Sequence, residues 1–402
     1  MCLVNRWYFN YNFDRFPIID IDTKQALRKA LYTGKPITFA TTQIMKAIKA
    51  CTIGFGNVAK KHIQNYPPEV KFIAIIDPDK SKLAKAVKAG FLPFESLESV
   101  LESIQPDFWD ICIPPNERLS YVEKILSLNI GQSNILIEKP ICAVSQTEEF
   151  EKLVKHSKSK ICVNENYSSS TVNKIIQEKL LKNKIGKAHI VIEFSKNRIQ
   201  DFIKGRYIDK ELGAFGYEGT HMISCVSCLS LAKKPKEIIS SHIYNLRVPE
   251  AFYYSNGKYQ GGAELEYSTE DGSLVEVLTF MDGHVKHPLD ILNIDNERDI
   301  ENPDVRYRII EIKEKDVSII GQYEPVLGWE RLYGRVYVTQ KGKIVEKEEK
   351  IYDNSMKTHI QRALSFFFNN GTNPYTVEKG LADLKFLSQA FEKALRHYES
   401  KL

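Results

Sequence analysis

Residues 50–59 read ACTIGFGNVA, and they decide the fold. An apolar run ends in Gly54, Gly56 follows, and a helical pattern opens near Asn57. The arrangement matches G-x-G-x-x-G/A, with Ala59 in the third place. The first glycine allows a tight turn, and the second lets the backbone approach a pyrophosphate. The small third residue lets helix and strand pack closely, and the helix N-terminus attracts phosphate charge. Such a match is weak alone, so its surroundings matter. The next apolar run, 72–76, ends in Asp77, 23 residues after Gly54, where a carboxylate accepts hydrogen bonds from a ribose hydroxyl. Gly54, Gly56, Asn57, Val58 and Asp77 are therefore expected to hold a dinucleotide. A carboxylate at 77 repels a 2′-phosphate, so NAD is expected, with NADP the alternative that nearby Lys80 and Lys82 would favour.

The pattern continues outward from this turn. Short apolar runs at 91–94, 108–113, 135–137 and 160–163 alternate with helical stretches at 80–89, 97–104, 117–128 and 146–156. Continuous apolar strands alternating with helices imply a parallel sheet covered on both faces, a doubly wound Rossmann α/β domain. From about residue 170 the texture changes. Segments 190–194, 263–267, 274–280, 305–310 and 335–338 alternate with period two, which predicts antiparallel strands with one wet face. The second domain is therefore α+β with a large open, mostly antiparallel sheet. Helices are predicted at 172–181, 358–368 and 377–398. The expected division is an N-terminal extension (1–46), the dinucleotide domain (47–165), an α+β substrate and oligomerisation domain (166–375) and a C-terminal helix (376–402).

Composition narrows the function classes. The chain has 402 residues, 56 Lys+Arg against 51 Asp+Glu, a net charge of +5 and 43 % hydrophobic residues. These values fit a globular protein of two or three domains and argue against a disordered tail. So small a net charge gives no support to a nucleic-acid partner. Seven cysteines in so long a chain fit reduced thiols better than a disulfide framework. No run approaches a membrane span, and the first twenty residues carry no apolar signal core. A cytoplasmic location is the expectation.

A second motif is Glu138-Lys139-Pro140 at the end of the run 135–137. It places Lys139 at the carboxyl edge of the sheet, where open α/β sheets bind ligands. With Gly54 to Ala59, PDFWDICIPPN at 106–116 and Glu138-Lys139-Pro140 in this order and spacing, the chain resembles the glucose-fructose oxidoreductase/inositol dehydrogenase (Gfo/Idh/MocA) family. Arg206-Tyr207 ahead of Gly213-Ala214, Gly219-Thr220-His221 opening a helix, and the closing helix extend the resemblance over roughly residues 47–400.

The resemblance implies a hydride exchanged between a nicotinamide cofactor and a secondary alcohol or ketone of a sugar, cyclitol or related polyhydroxylated compound. It implies that Lys139 and His221 are the active-site lysine and histidine, serving proton transfer and substrate positioning. Pro115, Asn116, Glu138 and Lys139 would line the nicotinamide, and Asn166 and Arg206 would join Lys139 and His221 around the substrate. The chain departs from the family where Asp usually stands four residues before the histidine: Tyr217 is there, and Glu218 follows, so both are candidate helpers or substitutes. Leu119 stands where a histidine is frequent, and residues 163–167 read VNENY where many members carry an arginine-containing run. Two other readings belong beside this one: NAD-dependent, redox-neutral glycoside cleavage, and a non-catalytic dinucleotide-sensing regulator. His221, Cys225 and Cys228 lack a nearby fourth ligand, so no metal is expected. A homo-oligomer, dimer or tetramer, is expected from the open sheet.

Overall fold

Short apolar strands buried on both faces need helices above and below them, and the first part of the chain is built that way. The computed structural model describes residues 47–128, 133–204, 209–229, 234–246, 259–292, 306–326 and 328–400, all within the unit Ala47–Leu402. Six strands alternate with five helices: β1 (Ile48–Ile53), α1 (Asn57–Asn65), β2 (Val70–Ile76), α2 (Lys80–Lys88), β3 (Leu92–Phe94), α3 (Leu97–Ser103), β4 (Phe108–Ile111), α4 (Pro115–Leu128), β5 (Asn134–Glu138), α5 (Thr147–Lys155) and β6 (Lys160–Asn164). All pair in parallel, in the order β3-β2-β1-β4-β5-β6. The winding reverses between β1 and β4, and such a reversal opens a ligand crevice at the carboxyl ends of the strands.

The second part holds α6 (Thr171–Lys182), β7 (His189–Lys196), α7 (Ile199–Ile203), α8 (Phe215–Ser227), β8 (Pro235–Tyr244), β9 (Gly262–Thr269), β10 (Leu274–Phe280), β11 (Arg306–Glu314), β12 (Val317–Gln322), β13 (Tyr333–Gln340) and β14 (Lys343–Tyr352), then α9 (Ser355–Phe368) and α10 (Val377–Glu399). Its eight strands run in the order β14-β13-β12-β11-β7-β10-β9-β8. Neighbours are antiparallel except β7 and β10, which are parallel. The α/β class with a second, mostly antiparallel sheet is thus as the sequence reads.

Each face of the first sheet buries its own layer. Cys51, Ile53, Trp109, Ile111, Ile135 and Ile137 pack with Leu97, Val100, Val122 and Phe150 of α3, α4 and α5. On the other face Ala50, Phe108, Leu136 and Cys162 meet Ile360, Ala363, Leu364 and Phe367 of α9. The chain therefore returns, after the whole second sheet, to cover the first. Helix α10 lies against α8 and β8. Gly219 makes the close approach to α8 workable, because a Cβ there would stand 3.2 Å from Leu387 Cδ1. Among the described residues no helix is long and apolar enough to cross a membrane.

Candidate active site

The glycine turn is shaped for a close ligand. Gly54 has φ +88°, and a Cβ there would lie 2.9 Å from both the Cys112 main-chain oxygen and Ile113 Cγ2. A left-handed backbone and a main-chain obstacle together leave room for glycine alone. Nothing stands within 4 Å of a Cβ built on Gly56, which N-caps α1 without any side-chain cap. The first amides of α1 therefore remain for an anion. Gly54→Ala is expected to weaken NADH binding at least about tenfold by backbone strain, checked by fluorescence titration; unchanged affinity would remove the turn from the site.

Asp77 is held by main-chain and side-chain donors. It is 2 % exposed; Oδ2 accepts from Phe55 N (2.8 Å) and from Lys82 Nζ (3.4 Å), and Oδ1 accepts from Asp79 N (2.9 Å). The carboxylate thus ties the glycine turn to the end of β2. Each carboxylate oxygen has two lone pairs, so acceptor capacity remains at Oδ1. An uncapped helix N-terminus, a glycine cradle and an acceptor-only carboxylate fit a dinucleotide. Val58, 41 % exposed, stands in the first turn of α1. Pro115 begins α4, and the Asn116 carbonyl accepts from Gln146 Nε2 at 3.1 Å. Arg118, which the sequence did not single out, donates from Nε to Ile113 O at 2.8 Å and from a terminal nitrogen to the carbonyls of Glu138 and Pro140. It pins the loops after β4 and β5 to one another.

The Glu138 carboxylate is engaged by buried partners at the edge of the crevice. His62 of α1 donates from Nε2 to Glu138 Oε1 (2.8 Å) and from Nδ1 to Asp110 (3.0 Å), and Asn164 Nδ2 donates to the same Glu138 oxygen (2.5 Å). Tyr66 donates to the other oxygen of Asp110. His62 and Asp110 are fully buried. Burial works against the imidazolium, but Asp110 outweighs it and holds the His62 pKa well above its ordinary value. Burial likewise works to raise Glu138, yet the bond from His62 and its charge hold that carboxyl down at about 2. A cation between two carboxylates therefore locks α1 onto the strand ends that carry Glu138 and the next residue, Lys139.

Lys139 leaves β5 at its carboxyl end, and its Nζ donates to the Tyr217 main-chain oxygen at 2.6 Å. Burial lowers its pKa, while Glu218, Glu165 and Glu138 pull the other way. His221 stands on α8; Nδ1 donates to Glu165 Oε1 at 2.5 Å, and the ring lies 4.9 Å from that of Tyr167. Burial works to raise Glu165, but His221 and then Lys139 keep it below its ordinary value. Both Lys139 and His221 line one cavity of about 530 Å³, together with Glu138, Asn166, Tyr217 and Glu218.

The helpers read from the sequence take other partners. The Tyr217 hydroxyl donates to Gln260 Oε1 (2.8 Å) and accepts from Asp209 N (2.9 Å), so it reaches Lys139 through its main chain. Glu218, 2 % exposed, faces Arg198 (2.5 Å) and Arg308 (3.4 Å) rather than His221. The carboxylate on His221 is Glu165. The sequence signal for it was the stretch 163–167, which departs from the family's pattern. Asn166 Nδ2 donates to Ser355 Oγ at 2.7 Å. Arg206 and Tyr207 lie outside the described residues. Among the described residues, buried Arg198 Nε, Arg306 Nε and Glu165 Oε2 have no hydrogen-bond partner.

Residues 31–166 match the family described as "Oxidoreductase family, NAD-binding Rossmann fold", Gfo/Idh/MocA. The first domain is thus an NAD-binding Rossmann domain, and over these residues the resemblance seen in the sequence holds. No curated protein matches the chain. Among solved structures, GenD2 from gentamicin A biosynthesis in complex with NAD is 12 % identical, with 88 % of this chain and 95 % of that one covered at a TM-score of 0.66. An oxidoreductase from Agrobacterium radiobacter in complex with NAD+, L-tartaric acid and magnesium is 16 % identical, with 87 % and 97 % covered and a TM-score of 0.65. The WlbA dehydrogenase from Bordetella pertussis in complex with NADH and UDP-GlcNAcA is 13 % identical, with 88 % and 96 % covered and a TM-score of 0.65. At these identities the likeness is one of fold.

Proposed function

We propose that this chain, whose residues 31–166 are of the Gfo/Idh/MocA oxidoreductase family, is an NAD-dependent dehydrogenase acting on a secondary alcohol, or the matching ketone, of a sugar, cyclitol or related polyhydroxylated compound. The observation that carries this reading is that Lys139 and His221 line one cavity at the carboxyl edge of the sheet that bears the glycine turn. In this reading residues 47–165 hold the dinucleotide and residues 166–375 supply the rest of the substrate pocket.

The bound nicotinamide supplies the hydride acceptor or donor. The chain supplies the proton chemistry. Burial lowers the Lys139 pKa, so the neutral amine that accepts a hydroxyl proton at Nζ is reached at lower pH than for a free lysine. Tyr217 O holds Nζ in place. Glu165 accepts the Nδ1 proton of His221, which fixes the tautomer and leaves Nε2 as an acceptor for a substrate hydroxyl. Asn166 and the cavity's arginines hold the remaining oxygens.

A panel of sugars, inositols and sugar acids with NAD and NADP, read as absorbance of the reduced cofactor, tests the reading. Net reduction with at least one compound is expected, with NAD preferred. No reduction with any compound would overturn it, and a glycoside cleaved without net reduction would point to the redox-neutral chemistry instead. A homo-oligomer is also part of this reading. Ile239 and Tyr244 on β8 and Ile344, Val345 and Tyr352 on β14 are exposed, and apolar groups exposed at both sheet edges favour a partner surface. A monomer by light scattering would contradict it.

A further inference from the structure

The cavity wall made by the second sheet carries an excess of positive charge. In the antiparallel pair β7 and β11, Arg306 stands directly opposite Lys196, and Arg308 stands opposite Phe194. Positions two apart along a strand share a face, so the three cations lie on one face of the sheet. Like charges directly opposite one another are destabilising, and their retention calls for a compensating anion.

Among the described residues an ion-paired anion is supplied to each cation but one. Arg308 faces Glu218 and Glu324, each at 3.4 Å, with its guanidinium 5.6 Å from the ring centres of Tyr167 and Phe194. Arg198 faces Glu218 at 2.5 Å, and Lys196 faces Asp201 at 3.6 Å. Arg306 lines the same cavity, makes no ion pair among the described residues, and keeps its buried Nε without a hydrogen-bond partner. Burial, and then the charge of Arg308, work to lower its pKa while Glu324 and Glu218, more distant and already paired with other arginines, work to raise it, and a guanidinium stays charged at any working pH. A neutral polyol leaves this guanidinium without a directly bonded counter-charge, whereas a carboxylate meets its planar fork of donors with two parallel hydrogen bonds.

We propose that the substrate of this cavity is a polyhydroxylated carboxylic acid whose carboxylate is seated on Arg306, with Lys196 beside it. The inference rests on the dehydrogenase reading for the fate of the ligand but not for its binding. Arg306 is then a specificity-determining residue, separate from the proton-transfer pair.

The test is calorimetric titration of the full chain saturated with NADH, so that no alcohol is oxidised. The probes are glucuronate against glucose and galacturonate against galactose, pairs that differ at one carbon, with glucose 6-phosphate as a third arm. Wild type is expected to bind at least one uronate about tenfold or more tighter than its neutral partner, the scale of a charge-assisted hydrogen bond. Arg306→Gln should bring the two within about threefold, and Arg306→Lys should restore part of the difference, since charge is kept and the fork is lost. Thermal melting of both variants separates a binding loss from a folding loss. Equal affinity for acid and neutral sugar, no binding of either, or a preference that survives Arg306→Gln in a folded protein overturns the proposal. Tight glucose 6-phosphate with weak uronate overturns the carboxylate in favour of a phosphate. Uronate bound tightly but never oxidised when NAD replaces NADH would sink the dehydrogenase reading and leave Arg306 in its role.

Discussion

Replacing Lys139 with alanine is expected to lower turnover at least about a hundredfold while leaving NAD binding intact, because a positioned acid–base group contributes on that scale. The amine is the group at the strand end whose pKa burial lowers and whose Nζ is oriented by a main-chain carbonyl, Tyr217 O, at 2.6 Å. Its removal deletes the proton acceptor without touching the glycine turn. The sign of the pH dependence follows from the shift. Oxidation needs the neutral amine, so the rate should rise with pH through the lowered Lys139 value, and Lys139→Ala should lose that limb. A small primary amine added to the variant should return part of the rate. Steady-state turnover against pH and NADH fluorescence titration measure both halves; turnover equal to wild type would end the assignment of Lys139.

His62→Ala is expected to cost about 3–5 kcal/mol at pH 7, the usual penalty for removing one partner of a buried ion pair. His62 and Asp110 are fully buried, and its loss leaves the carboxylates of Asp110 and Glu138 facing a cavity. The pH dependence separates this from simple loss of packing. Glu138 sits at about 2 in the folded protein, below the usual value near 4.3 for an unfolded chain. Its contribution is therefore present above the unfolded value and lost as pH falls toward 2. The His62 pKa is raised well above the ordinary value, so its contribution is full below about pH 6.5 and lost as pH rises through the folded value. Wild type should be most stable between these limits. In the variant the unpaired carboxylates take up protons readily, so its deficit should shrink as pH falls. Urea unfolding across pH 4–8 measures this; a deficit under about 1 kcal/mol at neutral pH would show the network to be dispensable.

Several elements were legible because local sequence causes them. The strand read at 274–280 is β10, Leu274–Phe280, since strict alternation belongs to a strand with one wet face. The closing helix, read at 377–398, is Val377–Glu399, where apolar spacing near 3.6 runs over six turns. Three strands were missed. β14, KIVEKEEKIY, reads as a solvated charge run and is a mostly exposed edge strand paired on one side only. Edge strands often carry such charge, which removes the alternation that reveals a strand. β12, VSIIGQ, is buried at nearly every position, so its apolar and polar residues do not alternate. β8, PKEIISSHIY, begins at a proline and alternates weakly, and it too is an edge.

The sequence by itself determined the glycine turn, the parallel sheet, the NAD-binding character of the first domain and the placing of Lys139 at a strand end. These depend on backbone conformation and periodicity, which neighbours in the chain set. Only the tertiary structure decided which charge meets which. Glu165, not Glu218, holds His221; Glu138 faces His62; and Arg306 comes to stand opposite Lys196 without an ion pair among the described residues. Coulomb and hydrogen-bond energies depend on distance through space, and a distance between residues far apart in the chain has no local signature.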